Sequence, residues 1–183
     1  MANCITKTTE FVKNIWLQYI NDDSVAIDAT VGNGSDTVFL SEHCKKVYGF
    51  EIQPEALEKA SGRIRKDNVE FFCMSHDRMM DVISEQADIV VFNLGYLPGG
   101  DHHITTVSNT TVEALKQALA LLKRDGLVSV MIYWGHDEGK LEREKVRLFA
   151  EKLDGKKYHT MYLSFPNQKN CPPEVLLITR KTD

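Results

Sequence analysis

The residues that follow the apolar run 87–92 are of types that could orient an amine. The run is followed by Asn93, Leu94, Gly95 and Tyr96. The side-chain oxygen of Asn93 and the carbonyl of Leu94 can accept the two hydrogens of an amine, which aims the nitrogen lone pair. Gly95 lets a substrate approach the backbone, and the ring of Tyr96 offers a stacking surface for a planar base. The alternative interpretation is that Asn93 caps a loop and Tyr96 packs against the core.

A second group of residues surrounds a glycine-rich turn. In the segment "AIDATVGNGSDTVFL", an apolar run ends at Asp28, and Gly32 and Gly34 precede a predicted helix. Glycines let a ligand approach the backbone, and the N–H groups of a helix N-terminus suit a carboxylate or a phosphate. The next apolar run ends at Glu51, where a carboxylate can accept both hydroxyl hydrogens of a ribose. The sequence therefore predicts a cofactor that contains a nucleoside, although the glycines could instead serve only to shape the turn.

The spacing of the glycines favours one class of nucleoside cofactor. A dinucleotide fingerprint, G-x-G-x-x-G, requires a third glycine where this chain has Thr37. The spacing D-x-T-x-G-x-G instead resembles the first motif of S-adenosylmethionine-dependent methyltransferases. In those enzymes the acid and the turn hold the amino-acid part of the cofactor. The stretch Asn93-Leu94-Gly95-Tyr96 is in turn similar to the Asn/Asp-Pro-Pro-Tyr motif of methyltransferases that act on amino groups attached to planar systems.

Short apolar runs alternate with amphipathic segments, which is typical of βαβ units and a mainly parallel sheet. Strands are predicted at residues 25–29, 46–51, 69–73, 89–93, 127–133, 158–164 and 175–179. Helices are predicted at residues 6–20, 35–43, 54–65, 78–86, 106–123 and 138–153. No helix separates the last two strands, so they should form an antiparallel hairpin. We expect one domain, residues 1–183, with the seven-stranded, mostly parallel sheet of a Rossmann-like class I methyltransferase, an antiparallel C-terminal strand and helices on both faces.

This topology should bring the candidate site residues together. Asn93 ends the fourth strand, which should lie beside the first strand at the switch point where ligands collect in open α/β sheets. The third strand leads into "CMSHD", where Ser75 and His76 could border an adenine. His76 could equally well cap the helix that follows.

Composition limits the classes of protein that the chain could be. Its 183 residues, 43% of them hydrophobic, are enough for one well-packed core. The net charge of −4 does not predict a protein that coats nucleic acid by bulk attraction, so an RNA partner would have to be gripped locally. The polar residues 1–10 and the absence of a long apolar run favour a cytoplasmic protein without a membrane span. The 4 cysteines include no C-x-x-C pair or His/Cys cluster, so we expect no metal site.

Nearly the whole chain is similar to the bacterial proteins long labelled rRNA methylases and now associated with tRNA 5-(aminomethyl)uridine methyltransferase, the MnmM (YtqB-like) family. The resemblance rests, in order, on "DATVGNGSDTVFL", "VYGFEIQPEAL", "SHDRM", "FNLGYLPGGDHHITT", "IYWGHDEGKLE" and "NQKNCPPEVLLI". It implies transfer of a methyl group from S-adenosylmethionine to the aminomethyl nitrogen of a tRNA wobble uridine, often also 2-thiolated. The product would be 5-methylaminomethyluridine. The chain departs from the pattern at Glu51, where such proteins more often have aspartate, but the longer side chain can still reach a ribose.

The resemblance also implies roles for individual residues. Those expected near the methionine part of the cofactor are Asp28, Thr30, Gly32, Asn33, Gly34 and Asp36. Glu51 and Gln53 are expected at the ribose, and Ser75 and His76 near the adenine. Residues expected to carry the chemistry are Asn93, Leu94 and Tyr96, with Asn93 also touching the cofactor. Gly95, Tyr96 and the loop through Asp101 are expected to wall the acceptor pocket.

Other polar residues are expected to contact the substrate. His102 and His103 could supply a general base but are favoured as solvent-exposed or RNA-facing residues, and Tyr133 and His136 are favoured as substrate contacts. No obligatory base is assigned, because desolvation in a closed pocket can lower the pKa of an amine. Asn167, Gln168 and Lys169 follow the predicted sixth strand and could face the RNA, with phosphates near Lys169 and a flipped base on Tyr96. The other basic residues, Lys13 in the first helix among them, are expected on solvated faces.

Several alternatives remain open on the sequence alone. A methyltransferase of this kind could instead act on a base amine of rRNA or on a protein side-chain amide. An NAD-dependent oxidoreductase would share the fold and the ribose acid but would leave Asn93 and its neighbours unexplained. A non-catalytic RNA-binding module would need no amine-orienting amide. The oligomeric state is open as well, and a homodimer is one of the possibilities.

Overall fold

A computed structural model describes residues 7–95, 106 and 108–182 of the chain. Within these residues the strands are β1 Val25–Asp28, β2 Lys46–Glu51, β3 Val69–Cys73, β4 Ala87–Leu94, β5 Leu122–Ile132, β6 Tyr158–Leu163 and β7 Glu174–Arg180. The α-helices are α1 Thr8–Trp16, α2 Ser35–His43, α3 Pro54–Ser61, α4 Ser108–Leu121 and α5 Asp137–Glu151, with a 3₁₀ helix at His76–Asp81. No helix in this part of the chain has both the length and the apolar composition needed to cross a membrane.

The strands form one sheet in the order β3-β2-β1-β4-β5-β7-β6. All pairs from β3 to β5 are parallel, whereas β7 runs antiparallel to both β5 and β6. This arrangement confirms the predicted class I methyltransferase fold and the antiparallel hairpin at its end. Because β1, β2, β4, β5 and β6 share one direction, their carboxyl ends lie at one edge of the sheet. The order reverses between β1 and β4, which makes that point the switch point of the sheet.

Alternating side chains of the central strands pack helices on both faces of the sheet. Val90 and Phe92 of β4 belong to a buried cluster with α4, α5 and the 3₁₀ helix. Ile89 and Val91 belong to a second cluster with α1 and α2. Successive strand residues point to opposite faces, so a strand covered on both sides must be apolar throughout. This explains the uninterrupted apolar runs of the sequence.

The first helix is shorter than the predicted range 6–20. It ends at Trp16, after which the backbone N–H of Gln18 donates to the Ile15 carbonyl at 3.0 Å and that of Tyr19 to the Trp16 carbonyl at 2.8 Å. Such tight bonds satisfy the last carbonyl groups of a helix while turning the chain. The turn brings Ile20 into the core, where it is buried.

The predicted helix at residues 78–86 was wrong, because the chain forms only the short 3₁₀ helix His76–Asp81 with a kink at Arg78. A side chain of α4 supplies the competing hydrogen bonds. The Met80 N–H donates to the Gln117 side-chain oxygen at 3.0 Å, and the Gln117 amide group donates to the Asp77 carbonyl. Groups bonded to Gln117 in this way are not available for a regular α-helix.

Strands β4 and β5 are longer than predicted, because each contains charged residues near its start. The sequence predicts that these strands begin at residues 89 and 127, but in the structure they begin at Ala87 and Leu122. Asp88 accepts a hydrogen bond from the Val25 N–H at 2.7 Å and pairs with Lys123 at 2.8 Å. Because Asp88 and Lys123 have these partners, their charged side chains are accommodated inside β4 and β5. The sequence pattern alone predicts loop at these positions.

Candidate functional site

The candidate site lies at the carboxyl ends of β1, β2 and β4. Asp28 ends β1, Glu51 ends β2, and Asn93 is the penultimate residue of β4. The neighbouring strands are paired through Asp28 with Gly49 on one side and Asp28 with Val91 on the other. The structure therefore brings together the acids and the amide that the sequence singled out.

Asp28 is fully buried and is held by two hydrogen bonds. Its carboxylate accepts the hydroxyl of Thr37 at 2.6 Å and the backbone N–H of Thr30 at 3.1 Å. Burial, supplemented by the negative charge of Asp36, raises the pKa of Asp28 to about 7. The carboxyl group is thus poised to change its charge near neutral pH.

Glu51 ties the end of β2 to the glycine-rich turn. Its carboxylate accepts the Gly32 N–H at 2.9 Å, the Ile52 N–H at 2.9 Å and the Gln53 N–H at 3.0 Å. One carboxylate has about four lone-pair positions, and three are used here. The free position is on the oxygen that faces Gly32, so Glu51 has room for one hydroxyl hydrogen rather than the two expected from the sequence.

The turn itself requires glycine. Gly32 and Gly34 have φ of 50° and 78°, in the left-handed region that other residues rarely adopt. A Cβ added to Gly34 would lie 2.8 Å from the Cβ of Ala60 in α3. Gly34 therefore allows α3 to pack directly against the start of α2.

We predict that Gly34→Ala lowers the free energy of unfolding by about 1–3 kcal/mol, because it combines a strained φ with a steric clash. Urea unfolding measures this change, and calorimetry should show weaker binding of S-adenosylhomocysteine. Gly155→Ala is the matched control, since a Cβ there would meet nothing within 4 Å. Equal effects of the two substitutions would contradict the assigned role of the turn.

Asn93 is held from two sides, while its side-chain oxygen has no partner among the residues that the structure describes. Its backbone N–H donates to the Thr30 hydroxyl at 2.6 Å, and its side-chain N–H donates to the carboxylate of Asp36. The oxygen, Oδ1, is buried and accepts no hydrogen bond from any described residue. A buried acceptor in this state is costly unless a ligand fills it.

Lys13 is a site residue that sequence reasoning missed. It was expected on a solvated face of the first helix, but its Nζ lies 2.9 Å from Asp36 Oδ1, with side-chain exposures of 17% for Lys13 and 13% for Asp36. The ammonium group also lies 5.3 Å from the centre of the Phe39 ring. The only sequence signal is the position of Lys13 beside the buried Val12 and three residues before the buried Trp16.

Gly95 and Tyr133 pack together beyond the end of β4, where the sequence predicts the pocket for the methyl acceptor. Gly95 has a φ of 143°, and a Cβ there would lie 3.3 Å from the Tyr133 Cβ. The Tyr133 side chain remains accessible, with 40% exposure. Partial burial, with a further contribution from Asp36, raises the pKa of the Tyr133 phenol. Tyr133 is therefore protonated at neutral pH and lies within electrostatic reach of Asp36.

A buried carboxylate fastens residue 106 beside Gly95. Gly95 N–H donates to the Thr106 hydroxyl at 2.9 Å, and Thr106 N–H donates to the Gly95 carbonyl at 3.1 Å. The Thr106 hydroxyl in turn donates to Glu142 of α5 at 2.6 Å, as does the hydroxyl of Thr111. Burial raises the pKa of Glu142. No local sequence pattern indicates this contact between separate elements.

His76 is buried and neutral. Its Nδ1 lies 3.1 Å from the Ala29 carbonyl, which can only accept, so Nδ1 carries the hydrogen. Burial lowers the pKa of the ring, and Nε2 has no partner in the described part of the chain. His76 is the first residue of the 3₁₀ helix and Ser75 precedes it, but Ser75 rather than His76 occupies the cap position.

The remaining predicted residues are less closely gathered. Tyr96, Asp101, His102 and His103 lie outside the described residues. Asn33 is exposed at the turn and Gln53 is half-buried before α3, whereas His136 is half-buried before α5. Asn167, Gln168 and Lys169 are exposed in the connection from β6 to β7. This connection lies at the same edge of the sheet, but β7 separates β6 from β5.

Acidic and basic side chains both surround the glycine-rich turn. Asp28, Asp36 and Glu51 lie around it, Lys13 pairs with Asp36, and the guanidinium of Arg63 donates to the Asn33 carbonyl. The carboxylates would attract an ammonium or sulfonium group. Within residues 7–95, 106 and 108–182, no group of His, Cys, Asp and Glu is arranged to hold a metal ion.

Comparison with known proteins gives one family. The model of the family described as "Putative rRNA methylase" matches residues 47–179. A relative from Arabidopsis thaliana, the chloroplastic tRNA (mnm(5)s(2)U34)-methyltransferase, is 36% identical over 192 aligned residues, which cover 96% of this chain and 70% of that protein.

Two solved structures are similar over nearly their whole length. The crystal structure of a protein from Clostridium thermocellum described as a "putative rRNA-methylase" superposes with a TM-score of 0.90 and 35% identity, covering 98% of both chains. That of a protein from Streptococcus mutans described as a "putative methyltransferase", in complex with SAH, superposes with a TM-score of 0.87 and 34% identity, covering 98% of this chain and 99% of the other.

Proposed function

This chain belongs to the "Putative rRNA methylase" family and is an S-adenosylmethionine-dependent RNA methyltransferase, and we propose that it methylates an alkyl amine on a tRNA base. The proposed acceptor is the aminomethyl group of 5-aminomethyluridine, with or without a 2-thio group, at the wobble position. The product is 5-methylaminomethyluridine. The name of the Arabidopsis relative specifies the same uridine of tRNA, which supports this choice.

The observation that carries the proposal is the unfilled oxygen of Asn93. Its Oδ1 is buried without a described partner, while the rest of the residue is fixed by Thr30 and Asp36. An acceptor held in this way suits an N–H group that arrives with the substrate. The Leu94 carbonyl already accepts the Tyr133 N–H at 3.1 Å, but a carbonyl has a second lone pair for the other hydrogen of the amine.

The cofactor residues are proposed on the same basis. Asp28 and the turn Gly32-Asn33-Gly34 would hold the methionine part, Glu51 and Gln53 the ribose, and Ser75 and His76 the adenine. The carboxylates around the turn suit the ammonium group of the amino acid and the adjacent sulfonium. The SAH bound to the Streptococcus mutans relative supports this choice.

Bound S-adenosylmethionine supplies a methyl carbon that a nitrogen lone pair can attack, with the carbon–sulfur electrons passing to sulfur. The residues of the chain then have two tasks, to aim the lone pair and to keep the amine unprotonated. An alkyl amine is largely protonated at neutral pH. Desolvation in the closed site lowers its pKa, so that solvent can take the proton before attack. Asn93 cannot serve as the base, because an amide oxygen remains neutral.

Asp28 should make cofactor binding depend on pH. Its pKa is about 7 in the free protein, and the ammonium group of a bound amino acid favours the ionised form. The affinity for S-adenosylhomocysteine should therefore fall as the pH decreases below 7, by at most about tenfold per pH unit, and level off above 7. Titration calorimetry between pH 5.5 and pH 8 measures this dependence.

Asp28→Asn is the control for the pH dependence, because its amide fills a similar volume and does not titrate. The variant should bind more weakly at pH 8 and show a flatter profile than the parent protein. If the affinities of the two proteins depended on pH in the same way, the titrating group would be a residue other than Asp28, and the proposed role of Asp28 would be wrong.

The choice of acceptor is tested with separate RNA and protein substrates. Purified protein and S-adenosylmethionine are incubated with tRNA carrying 5-aminomethyluridine, the same tRNA with unmodified uridine, rRNA, and total ribosomal protein. We expect methyl incorporation only into the first. Incorporation into rRNA or protein, with none into the aminomethylated tRNA, would replace the proposed acceptor while leaving the methyltransferase assignment intact.

A further inference from the structure

We infer that Lys13 is a positioning residue for methyl transfer, acting on Asn93 through Asp36. The inference rests on the proposed function of Asn93 as the residue that receives the amine. It links the N-terminal helix α1 to the reacting group through one chain of contacts. Lys13 Nζ lies 2.9 Å from Asp36 Oδ1, and Asp36 Oδ2 accepts the Asn93 side-chain N–H.

The carboxylate of Asp36 decides which end of the Asn93 amide faces the site. A carboxylate only accepts hydrogen bonds, so the NH₂ group of Asn93 must turn toward Asp36. The amide oxygen is then left at the position without a partner, where it can accept from an amine. If the Asn93 amide were flipped, its NH₂ group would face the amine of the substrate. Two hydrogen-bond donors would then face each other without an acceptor between them.

Lys13 in turn holds the Asp36 carboxylate in place through the ion pair. Asp36 lies close enough to Asp28 and Tyr133 to raise the pKa of each, so without a cation its charge would be repelled in this site. The pair is largely shielded from solvent. Buried ion pairs contribute little net stability compared with apolar replacements, so the role of the lysine here is to orient Asp36.

Loss of the ammonium group should therefore reduce the rate more than it reduces cofactor binding. In Lys13→Met, the Asp36 carboxylate loses its ion-pair partner and can turn away, and the Asn93 amide can then flip. We expect the single-turnover rate of methyl transfer to fall by about 100-fold, the size of effect produced by slight misplacement of a reacting group. Binding of S-adenosylhomocysteine should weaken much less than the rate falls, because Lys13 reaches the cofactor site only through Asp36.

The first experiment does not require a substrate. Proton–nitrogen NMR of the Asn93 side-chain amide, assigned with Asn93→Ala, reports its hydrogen bond to the carboxylate. In the parent protein one amide proton should be shifted downfield, and the shift should disappear in Lys13→Met and in Asp36→Asn. Lys13→Met and Asp36→Asn each disturb the hydrogen bond between Asn93 and Asp36 by a different substitution, so the test does not depend on the folding of any one variant. An unchanged amide signal in both would overturn the inference.

The second experiment measures the rate with 5-aminomethyluridine tRNA. Lys13→Arg should retain most of the activity. Lys7 is exposed and immediately precedes α1, and the rate of the Lys7→Met variant should equal that of the parent protein. The double variant Lys13→Met/Asp36→Asn should be no slower than the slower single variant, because both substitutions break one connection. Full activity of Lys13→Met would refute the positioning role. If the parent itself fails to methylate this tRNA, the proposed acceptor is wrong, and the NMR result still decides whether Lys13 orients Asn93.

Discussion

Replacement of Asn93 by alanine should lower the single-turnover rate of methyl transfer by about 10²- to 10³-fold, which is the usual cost of deleting one preorganised polar group from an active site. The alanine variant keeps the backbone N–H that bonds to Thr30 but offers no oxygen to the amine. Since the amide acts on the acceptor, the affinity for S-adenosylhomocysteine should remain within about threefold of the parent value. Rapid-quench kinetics and calorimetry measure the two quantities.

Ser129→Ala provides a matched control for this substitution. Ser129 Oγ is another buried polar atom without a partner among the described residues, and it lies on β5 opposite Val91. Deleting it should leave the methyl-transfer rate unchanged. If Asn93→Ala retained the parent rate, the amine-orienting role would have to be abandoned, and Asn93 would be a structural residue of β4.

Replacement of Glu51 by alanine should weaken the binding of S-adenosylhomocysteine by about 10- to 150-fold, because a hydrogen bond to a charged group contributes about 1.5–3 kcal/mol. The effect has two sources. The variant loses the acceptor proposed for a ribose hydroxyl, and it leaves the N–H of Gly32 without the carboxylate that fixes the turn. Titration calorimetry with the folded variant measures the loss directly.

Two further variants separate these sources. Glu51→Gln keeps a side-chain oxygen for the Ile52 and Gln53 N–H groups, so its loss should be smaller, about tenfold. Glu70→Ala removes an exposed acid from the neighbouring strand β3, where it pairs with Lys46, and should leave the affinity unchanged. An alanine variant at position 51 that bound the ligand as tightly as the parent would show that Glu51 does not contact the ribose.

The main features of the fold could be predicted because they depend on local patterns. Central strands covered on both faces must be apolar throughout, and β1 and β2 appear in the sequence as such runs. The glycine-rich turn and Pro54 mark the starts of α2 and α3, both of which were placed at the observed first residue. Their positions follow from backbone preferences that a few neighbouring residues determine.

Features that depend on distant residues could not be predicted in this way. The 3₁₀ helix takes its shape from Gln117, which is far along the chain. The true starts of β4 and β5 depend on the pairing of Asp88 with Lys123. In each case a local pattern pointed to the wrong structure because a partner from another element supplied the deciding contact.

The same distinction applies to the candidate site. Asp28, Glu51 and Asn93 could be located because each stands at or next to the end of an apolar run, and parallel strands bring such ends together. Lys13 and Glu142 could not, because each reaches the site from a helix whose own sequence does not identify the partner in another element. Their roles become visible only when the helices are placed on the sheet.

The central claim is that the methyl group is transferred to the aminomethyl nitrogen of a tRNA uridine, and the most direct test is to locate it in the product. The protein is incubated with 5-aminomethyluridine tRNA and S-adenosylmethionine labelled with a trideuterated methyl group, and the nucleosides are fragmented in a mass spectrometer. We expect a labelled nucleoside that loses the label together with the side-chain amine. A label retained on the uracil ring or ribose, or no labelled nucleoside at all, would contradict it.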